Sequence, residues 1–363
     1  MDINRIIMLA MAFGAVLGGL DYMLGNRFGF GAKFEEGFQC LGPTAFSMVG
    51  ILCLVPPFAR LLGPMVAPVF QAIGADPAMF GSLLAIDMGG YPLAMELAED
   101  VRLGLFSGLI VSAMLGVTIV FIIPVGLGII EPNDREYFAK GLLIGLIPIP
   151  AGALVGGVMM RLDAAVILVN LVPCILIGCV MVLGIRFAQQ KAIRIFLAFG
   201  RLITVITVAG LTAGAVEYMT GIVIIPGMPS IMEGMATASG IAVVLLGSLP
   251  LMELILRILD KPFQAAGRRF GLDGASVAGL LFCCVSVLPV YRSLKEMCPK
   301  GKVMVTAASV SLISVFAAHL GFTAQADPQM LTPMIVSKLV SGGLAVVLAY
   351  VVTDGQRKGQ INT

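Results

Sequence analysis

The sequence predicts an all-α polytopic integral membrane protein with about nine transmembrane helices and two re-entrant helical hairpins, arranged as inverted structural repeats. Three observations predict it. Apolar runs long enough to cross a bilayer recur from end to end. The second half of the chain echoes the first at a near-constant offset. The basic residues collect on one side only if two of the runs turn back.

Hydrophobic residues make up 59% of the 363-residue chain and charged ones 12%, with a mean hydropathy of +1.02, which excludes a soluble globular fold. Apolar segments lie near 5–25, 38–60, 77–97, 103–130, 138–160, 163–186, 194–216, 235–257, 274–292, 302–324 and 331–352. The first follows Asp2 and Arg5 and is long enough to span, so it reads as a helix rather than a cleavable signal peptide. The second closes at Arg60.

The third is broken at its middle by Ala85-Ile86-Asp87-Met88-Gly89-Gly90-Tyr91-Pro92. Gly89 and Gly90 supply backbone freedom and Pro92 removes a donor, so one short helix ends there and another begins. Each arm is then about ten residues, roughly 15 Å at helical rise, which is half the hydrocarbon thickness. The segments 103–130 and 138–160 complete the first half, and 163–186 connects it to the second. In the second half, 194–216 and 235–257 mirror the first two segments. The segment 274–292, with Ser286 and Pro289, is the mate of the broken third. The last two are 302–324, which holds His319, and 331–352.

The duplication rests on residues in register. Asp21-Tyr22-Met23 returns as Glu217-Tyr218-Met219 at a shift of 196, and Glu36, Asp76 and Pro92 return as Glu233, Asp273 and Pro289 at 197. Val120-Phe121 and Gly126 reappear as Val315-Phe316 and Gly321 at 195. The division is therefore a first repeat over 1–162, a connecting helix over 163–190 and a second, inverted repeat over 191–363.

Charge fixes the orientation. If all the segments cross, one side carries Arg5, Arg60, Arg135, Lys140, Arg186, Lys191, Arg194, Arg257, Lys261, Arg268 and Arg269. The other side carries Arg27, Lys33, Arg102, Arg161, Arg292, Lys295, Lys300, Lys302, Arg357 and Lys358, which is nearly a tie. If 77–97 and 274–292 instead dip in and return, only Arg5, Arg60, Arg102 and Arg161 remain opposite the rest. That asymmetry is the cytoplasmic bias of real membrane proteins. It places the N-terminus outside and the C-terminus in the cytoplasm, with five crossings before the second half, which is thereby inverted. Arg201 and Lys338 lie within segments and enter neither count.

Inverted repeats with broken segments are an architecture of secondary transporters, whose substrates bind near the midplane between the halves. Asp87, beside the break, carries the strongest expectation of a site. A carboxylate at bilayer depth costs about 2.5–3.5 kcal/mol on insertion scales and persists with a partner such as a cationic substrate, a coupling ion or a buried lysine such as Lys338. Tyr91 offers a ring face to an ammonium group, and Ser286 one hydrogen bond. His319, the single histidine, reads either as a satisfied core residue or as a binding or proton-relay group. Glu36 and Glu233, mates at helix starts, read equally as caps or as binding groups. Gly89, Gly90, Pro92 and Pro289 are the expected hairpin hinges.

Other classes are disfavoured. A net charge of +2 with no basic stripe leaves no nucleic-acid footprint. Seven cysteines without a CxxC spacing, and one histidine, supply no metal site and imply no cofactor. There is no HExxH and no GxSxG, so no enzyme chemistry is expected.

Several strings resemble the ethanolamine permease family, EutH, of ethanolamine utilisation. They are Phe34-Glu35-Glu36-Gly37-Phe38, Asp87-Met88-Gly89-Gly90, Thr118-Ile119-Val120-Phe121-Ile122-Ile123-Pro124 and Gly128-Ile129-Ile130-Glu131-Pro132-Asn133-Asp134-Arg135, followed by His319-Leu320-Gly321-Phe322 and Pro333-Met334-Ile335-Val336. The resemblance runs over essentially the whole chain. The family pattern has an Asn pair before the second hairpin's proline, where this chain has Val285-Ser286-Val287-Leu288, and an acidic residue where this chain has Ala318. The resemblance implies uptake of ethanolamine, a small cation at neutral pH, across the inner membrane for cytosolic breakdown. Asp87 and Tyr91 would hold the ammonium, and Ser286 or His319 the hydroxyl. An ion-coupled symporter of another small amine or amino acid is the alternative. A coupling ion, H+ or Na+, and a homo-oligomer both stay open.

Overall fold

The computed structural model describes residues 2–83 and 90–361, and every element in it is helical. The first part holds α1 (Ile3–Met23), α2 (Phe30–Gln39), α3 (Leu41–Ala72), and the short α4 (Met79–Leu83) and α5 (Gly90–Leu97). A long helix follows, built of α6 (Val101–Leu105), two wider π-helical stretches (Phe106–Gly116 and Thr118–Ile122) and α7 (Ile123–Ile129). A 3-10 turn at Pro132–Asp134 opens α8 (Arg135–Leu146), which continues as α9 (Ile149–Met159) and leads to α10 (Ala164–Phe187). The second part holds α11 (Gln189–Thr220), α12 (Ile231–Arg269), and the short α13 (Gly274–Phe282) and α14 (Val287–Arg292). It ends with α15 (Pro299–Leu312), α16 (Ala318–Ala326), a 3-10 turn at Pro328–Met330 and α17 (Leu331–Ile361).

Among the described residues, eight helices are long and apolar enough to cross a membrane: Ile3–Met23, Phe30–Ala72, Val101–Ile129, Pro132–Met159, Ala164–Phe187, Gln190–Thr220, Ile231–Arg269 and Pro328–Asp354. Two of them outrun the expected spans of 38–60 and 235–257. At 43 residues Phe30–Ala72 is about 65 Å long, twice the hydrocarbon thickness. Its first turns carry Lys33, Glu35 and Glu36 and pack beside Gly18 of α1 and Leu245 of α12.

The expected ninth span, 302–324, is not one helix. Residues 313–317 unwind between α15 and α16, with Ser314 in the left-handed region at φ 52°. The freed backbone groups find partners in the turn after α13. The Ser314 N–H donates to the Cys283 carbonyl (3.3 Å) and the Phe316 N–H to the Cys284 carbonyl (3.0 Å), while the Ser314 hydroxyl donates to the Val285 carbonyl (3.1 Å). Unwound backbone at membrane depth survives only where it is re-satisfied in this way.

The short helix pairs are closed at their feet by aspartates. Asp76 accepts from the Ala78 N–H before α4 (2.8 Å) and from the Glu99 and Asp100 N–H groups after α5 (3.2 and 3.1 Å). Asp273 accepts from Ser276 at the start of α13 (2.8 Å) and from Cys298 after α14 (2.6 Å). Each carboxylate thus holds together the beginning and the end of one helix pair. Desolvation pulls the Asp273 carboxyl upward, but the hydrogen bonds from Ser276 and Cys298 outweigh it and hold the group below its ordinary value. The brace is therefore in force at neutral pH and fades only as pH falls below the usual carboxylate range.

Long-range ties fix the remaining connections. Glu131 pairs with Lys295 (3.1 Å), and Asp134 with Lys302 (2.5 Å), a pair nearly closed to solvent. Lys300 pairs with Asp354 (3.1 Å) and lies over the Tyr350 ring. Arg257 donates to the Phe28 carbonyl (2.7 Å), and Asn4 ties α1 to Gln329 and Thr332.

Residues 303–312 of α15 are all buried, so this half-helix runs through the centre of the molecule. By contrast α1 exposes Leu9, Phe13, Val16 and Leu20, and α11 exposes Ile195, Leu202, Val205 and Met219, as lipid-facing helices do. These two outer helices cross their partners at glycines. A Cβ on Gly14 would sit 2.2 Å from the Gly247 carbonyl oxygen, and one on Gly50 only 1.9 Å from that of Thr207. Such backbone approach drives packing where lipid replaces water.

Candidate functional site

Two buried basic side chains meet where the broken elements converge. Lys338, on the second turn of α17, is fully buried, and its ammonium donates to the Ala113 carbonyl at 2.6 Å. Its other partner is Nδ1 of His319, at 2.7 Å. His319 is the second residue of α16, directly after the unwound stretch. Ala113 lies in the π-helical stretch, a distortion found often at functional sites. Cys283 and Cys284, in the turn after α13, lie in the neighbourhood of Lys338.

A cavity of about 10 Å³ adjoins the pair, lined by Gly108, Leu109, Ser112, Ala113, His319, Phe322 and Thr323. That volume suits one water at most. The edge of the Tyr91 ring meets Phe322 with centroids 5.7 Å apart, and a Cβ on Gly108 would lie 2.6 Å from the Tyr91 Cα. The start of α5 is therefore wedged beside the cavity. The His319 imidazole, the Ser112 and Thr323 hydroxyls and the Phe322 ring line this space, with the Lys338 ammonium bonded to His319 and the Tyr91 ring packed on Phe322, and it is too small for any solute larger than water.

Larger cavities lie elsewhere. One of 780 Å³ sits at the foot of the α13–α14 pair, lined by Glu136, Lys140, Arg186, Lys300 and Asp354 among others. One of 560 Å³ sits at the foot of the α4–α5 pair, beside Asp76, Glu99, Asp100 and Asn170. Both are open and lined by charged side chains.

Of the residues expected from the sequence, His319 lines the small cavity beside Lys338, and Tyr91 packs against two residues that line it, Gly108 and Phe322. Ser286, half-buried, precedes α14 in the turn that holds residues 313–317. Pro92 and Pro289 are each the third residue of a short helix, and Gly90 opens α5. Asp87 and Gly89 lie outside the described residues. Glu36 and Glu233 are apart from the cavity. Glu36 is exposed on α2 and paired with Lys33 at 2.7 Å, and Glu233 is exposed in the first turn of α12, which Ser230 caps. Lys338 was named from the sequence only as a partner for Asp87, yet its place as the one basic residue in the last apolar segment was the available signal. Among the described residues no group of three or more His, Cys, Asp or Glu is placed to hold a metal.

The family model described as "Ethanolamine utilisation protein, EutH" matches residues 3–352. The chain belongs to the EutH family. A probable ethanolamine permease EutH of Listeria monocytogenes is 42% identical over 99% of this chain and 96% of its own length. That of Salmonella typhimurium is 36% identical over 100% of this chain and 98% of its own. An uncharacterized protein of Bacillus subtilis, YxeR, is 43% identical over 99% and 98%. No solved structure matches. EutH is a family of permeases, membrane transporters rather than enzymes, and the run of apolar helices in this member agrees with a multi-pass membrane protein.

Proposed function

We propose that the chain is a permease that carries ethanolamine across the inner membrane into the cytoplasm. The observation that carries this reading is the buried Lys338–His319 pair, set at an unwound helix inside a chain that matches EutH permeases over nearly its full length. Substrate sites at the junction of broken helices are the rule in secondary transporters. The ammonium of ethanolamine would meet Asp87 and the ring of Tyr91, and its hydroxyl His319 or Ser286. Glu36 and Glu233 would act away from this centre, at its approaches.

Alternating access would run through two inverted repeats, residues 1–162 and 191–363, joined by the helix over 163–190. Helix boundaries support the duplication. Phe30–Ala72 and Ile231–Arg269 end 197 residues apart, and the 3-10 turns at Pro132 and Pro328 begin 196 apart. The crossings support it further. A Cβ on Gly247 would meet the Met11 carbonyl as one on Gly50 meets that of Thr207, and both members of each match are offset by 196 or 197.

The ion pairs Glu131–Lys295 and Asp134–Lys302 support a re-entrant hairpin at 274–292. If every apolar segment crossed, these partners would lie on opposite sides of the membrane. The clasps at Asp76 and Asp273 support the same topology, with the N-terminus outside and the C-terminus cytoplasmic. Helices α1–α3, α11 and α12 would form the frame against which the hairpins and broken helices move. The rival reading is an ion-coupled symporter of another small amine or amino acid, which the departure at Val285-Ser286-Val287-Leu288 favours.

Competition separates the two. Excess unlabelled ethanolamine is expected to suppress uptake of the labelled compound in proteoliposomes, while alanine, glycine and choline leave most of it. Equal or stronger suppression by one of those three would transfer the assignment to that compound's class.

A further inference from the structure

Among the described residues no carboxylate pairs with the buried Lys338. The groups that face it can be named element by element. Helix α16 brings His319, the turn after α13 brings Cys283 and Cys284, and the π-helical stretch brings the Ala113 carbonyl with Ser112 nearby. Helix α9, packed on α17 through Gly152 and Gly156, carries no titratable residue. Helix α15 contributes the Ser311 hydroxyl, bonded to Ser341, while its Lys300 and Lys302 are paired with Asp354 and Asp134. Helix α8 reaches α17 near Thr353 and Asp354, where its Glu136, Tyr137 and Lys140 line the open cavity at the foot of the α13–α14 pair. Helix α1 offers Asn4, held by Thr332. Asp87 lies outside the described residues.

A histidine nitrogen that accepts from an ammonium carries no proton itself, so His319 is neutral whenever Lys338 is charged. Two cations at 2.7 Å in an enclosed site repel strongly, and the pair holds at most one positive charge. A substrate ammonium arriving at the adjoining cavity meets the same restriction.

We propose that the Lys338–His319 pair is a proton site whose charge the substrate replaces, so that one alkylammonium ion enters for each proton that leaves. As the substrate binds, an N–H bond of Lys338 breaks and its proton passes to Nδ1 of His319. The imidazole gives up its other proton to water on the side from which the substrate came. Once the substrate has left on the opposite side, Nε2 of His319 takes a proton from that side as Nδ1 returns its own to Lys338, which restores the starting pair. The exchange is electroneutral and consumes no other co-reactant. It rests on the reading of this chain as an ethanolamine permease.

The test uses the purified full chain and Lys338→Gln in proteoliposomes, with initial rates taken above those of empty vesicles. Ethanolamine counterflow comes first. Its absence in the wild type would remove the permease reading itself, separately from the proton site. With counterflow present, wild-type uptake is expected to accelerate under an inside-acid pH gradient and to ignore an inside-negative potassium diffusion potential. Lys338→Gln, without the compensating charge, is expected to show the reverse: acceleration by the potential and indifference to the pH gradient. Wild-type uptake that follows the potential overturns the proposal, as does a Lys338→Gln protein that matches the wild type under both gradients. If Lys338→Gln lacks counterflow, Lys338→Met replaces it, and the wild-type response to voltage still decides.

Discussion

Asp87→Asn is expected to reduce ethanolamine uptake to the level of empty vesicles, with the protein still inserted and folded. The substitution keeps the shape of the side chain and removes its charge. An amide presents a cation with a dipole in place of a full charge, and hydrogen bonds to charged groups are worth about 1.5–3 kcal/mol against about 1 for neutral ones. That difference of about 0.5–2 kcal/mol alone corresponds to a loss of about two- to thirtyfold in affinity. A carboxylate kept in an apolar run at an insertion cost of about 2.5–3.5 kcal/mol needs a compensating partner, and a cationic substrate supplies one. Wild-type uptake by Asp87→Asn would take the residue out of the site and shift the ammonium to the Tyr91 and Phe322 rings.

Gly50→Ala is expected to cost at least about 3 kcal/mol of stability, at the upper end for overpacked sites. The added methyl would stand 1.9 Å from the Thr207 oxygen and 2.7 Å from the Leu211 nitrogen, all backbone atoms that no rotamer change can move aside. Helices α3 and α11 would have to separate along their whole crossing. Gly247→Ala should behave alike, since its methyl would lie 2.0 Å from the Met11 oxygen. Gly42→Ala is the control, with nothing within 4 Å, and should be neutral or stabilising by up to about 1 kcal/mol. Thermal unfolding in detergent reads all three. Equal midpoints for Gly50→Ala and Gly42→Ala would mean that the crossing is looser than described.

The all-helical class and most membrane-spanning runs are legible in the sequence because hydropathy reports directly on burial in hydrocarbon. Helix ends are less so. The polar turns around Lys33 and Glu36 join the apolar run in one long helical stretch, and their charges interrupt the hydropathy signal that marks the rest of it. The break at Ile313-Ser314-Val315-Phe316-Ala317 contains no glycine or proline and gives no local signal. It exists because the carbonyls of Cys283, Cys284 and Val285 are in place to receive its backbone and hydroxyl donors, a tertiary cause. The π-helical stretches are hidden for the same reason, within a run of ordinary apolar residues.

For the site, His319 and Tyr91 stand out locally as a polar group and an aromatic beside a helix break; His319 lines the small cavity and Tyr91 packs on Phe322 at its wall. Glu36 and Glu233 also stand out as polar groups near apolar runs, yet they face outward from helices that outrun the bilayer. One-dimensional pattern does not separate a polar group aimed inward from one aimed at water. Lys338 shows the converse. A tally of loop charges sets it aside, although a lysine inside a span is costly enough to be a site residue by default.

The most direct test of the account is saturable uptake of radiolabelled ethanolamine by the purified protein in proteoliposomes, measured against empty vesicles. The account predicts uptake that saturates with substrate and exceeds the lipid background. Uptake no faster than that of empty vesicles, from protein shown to be folded and inserted, would contradict it.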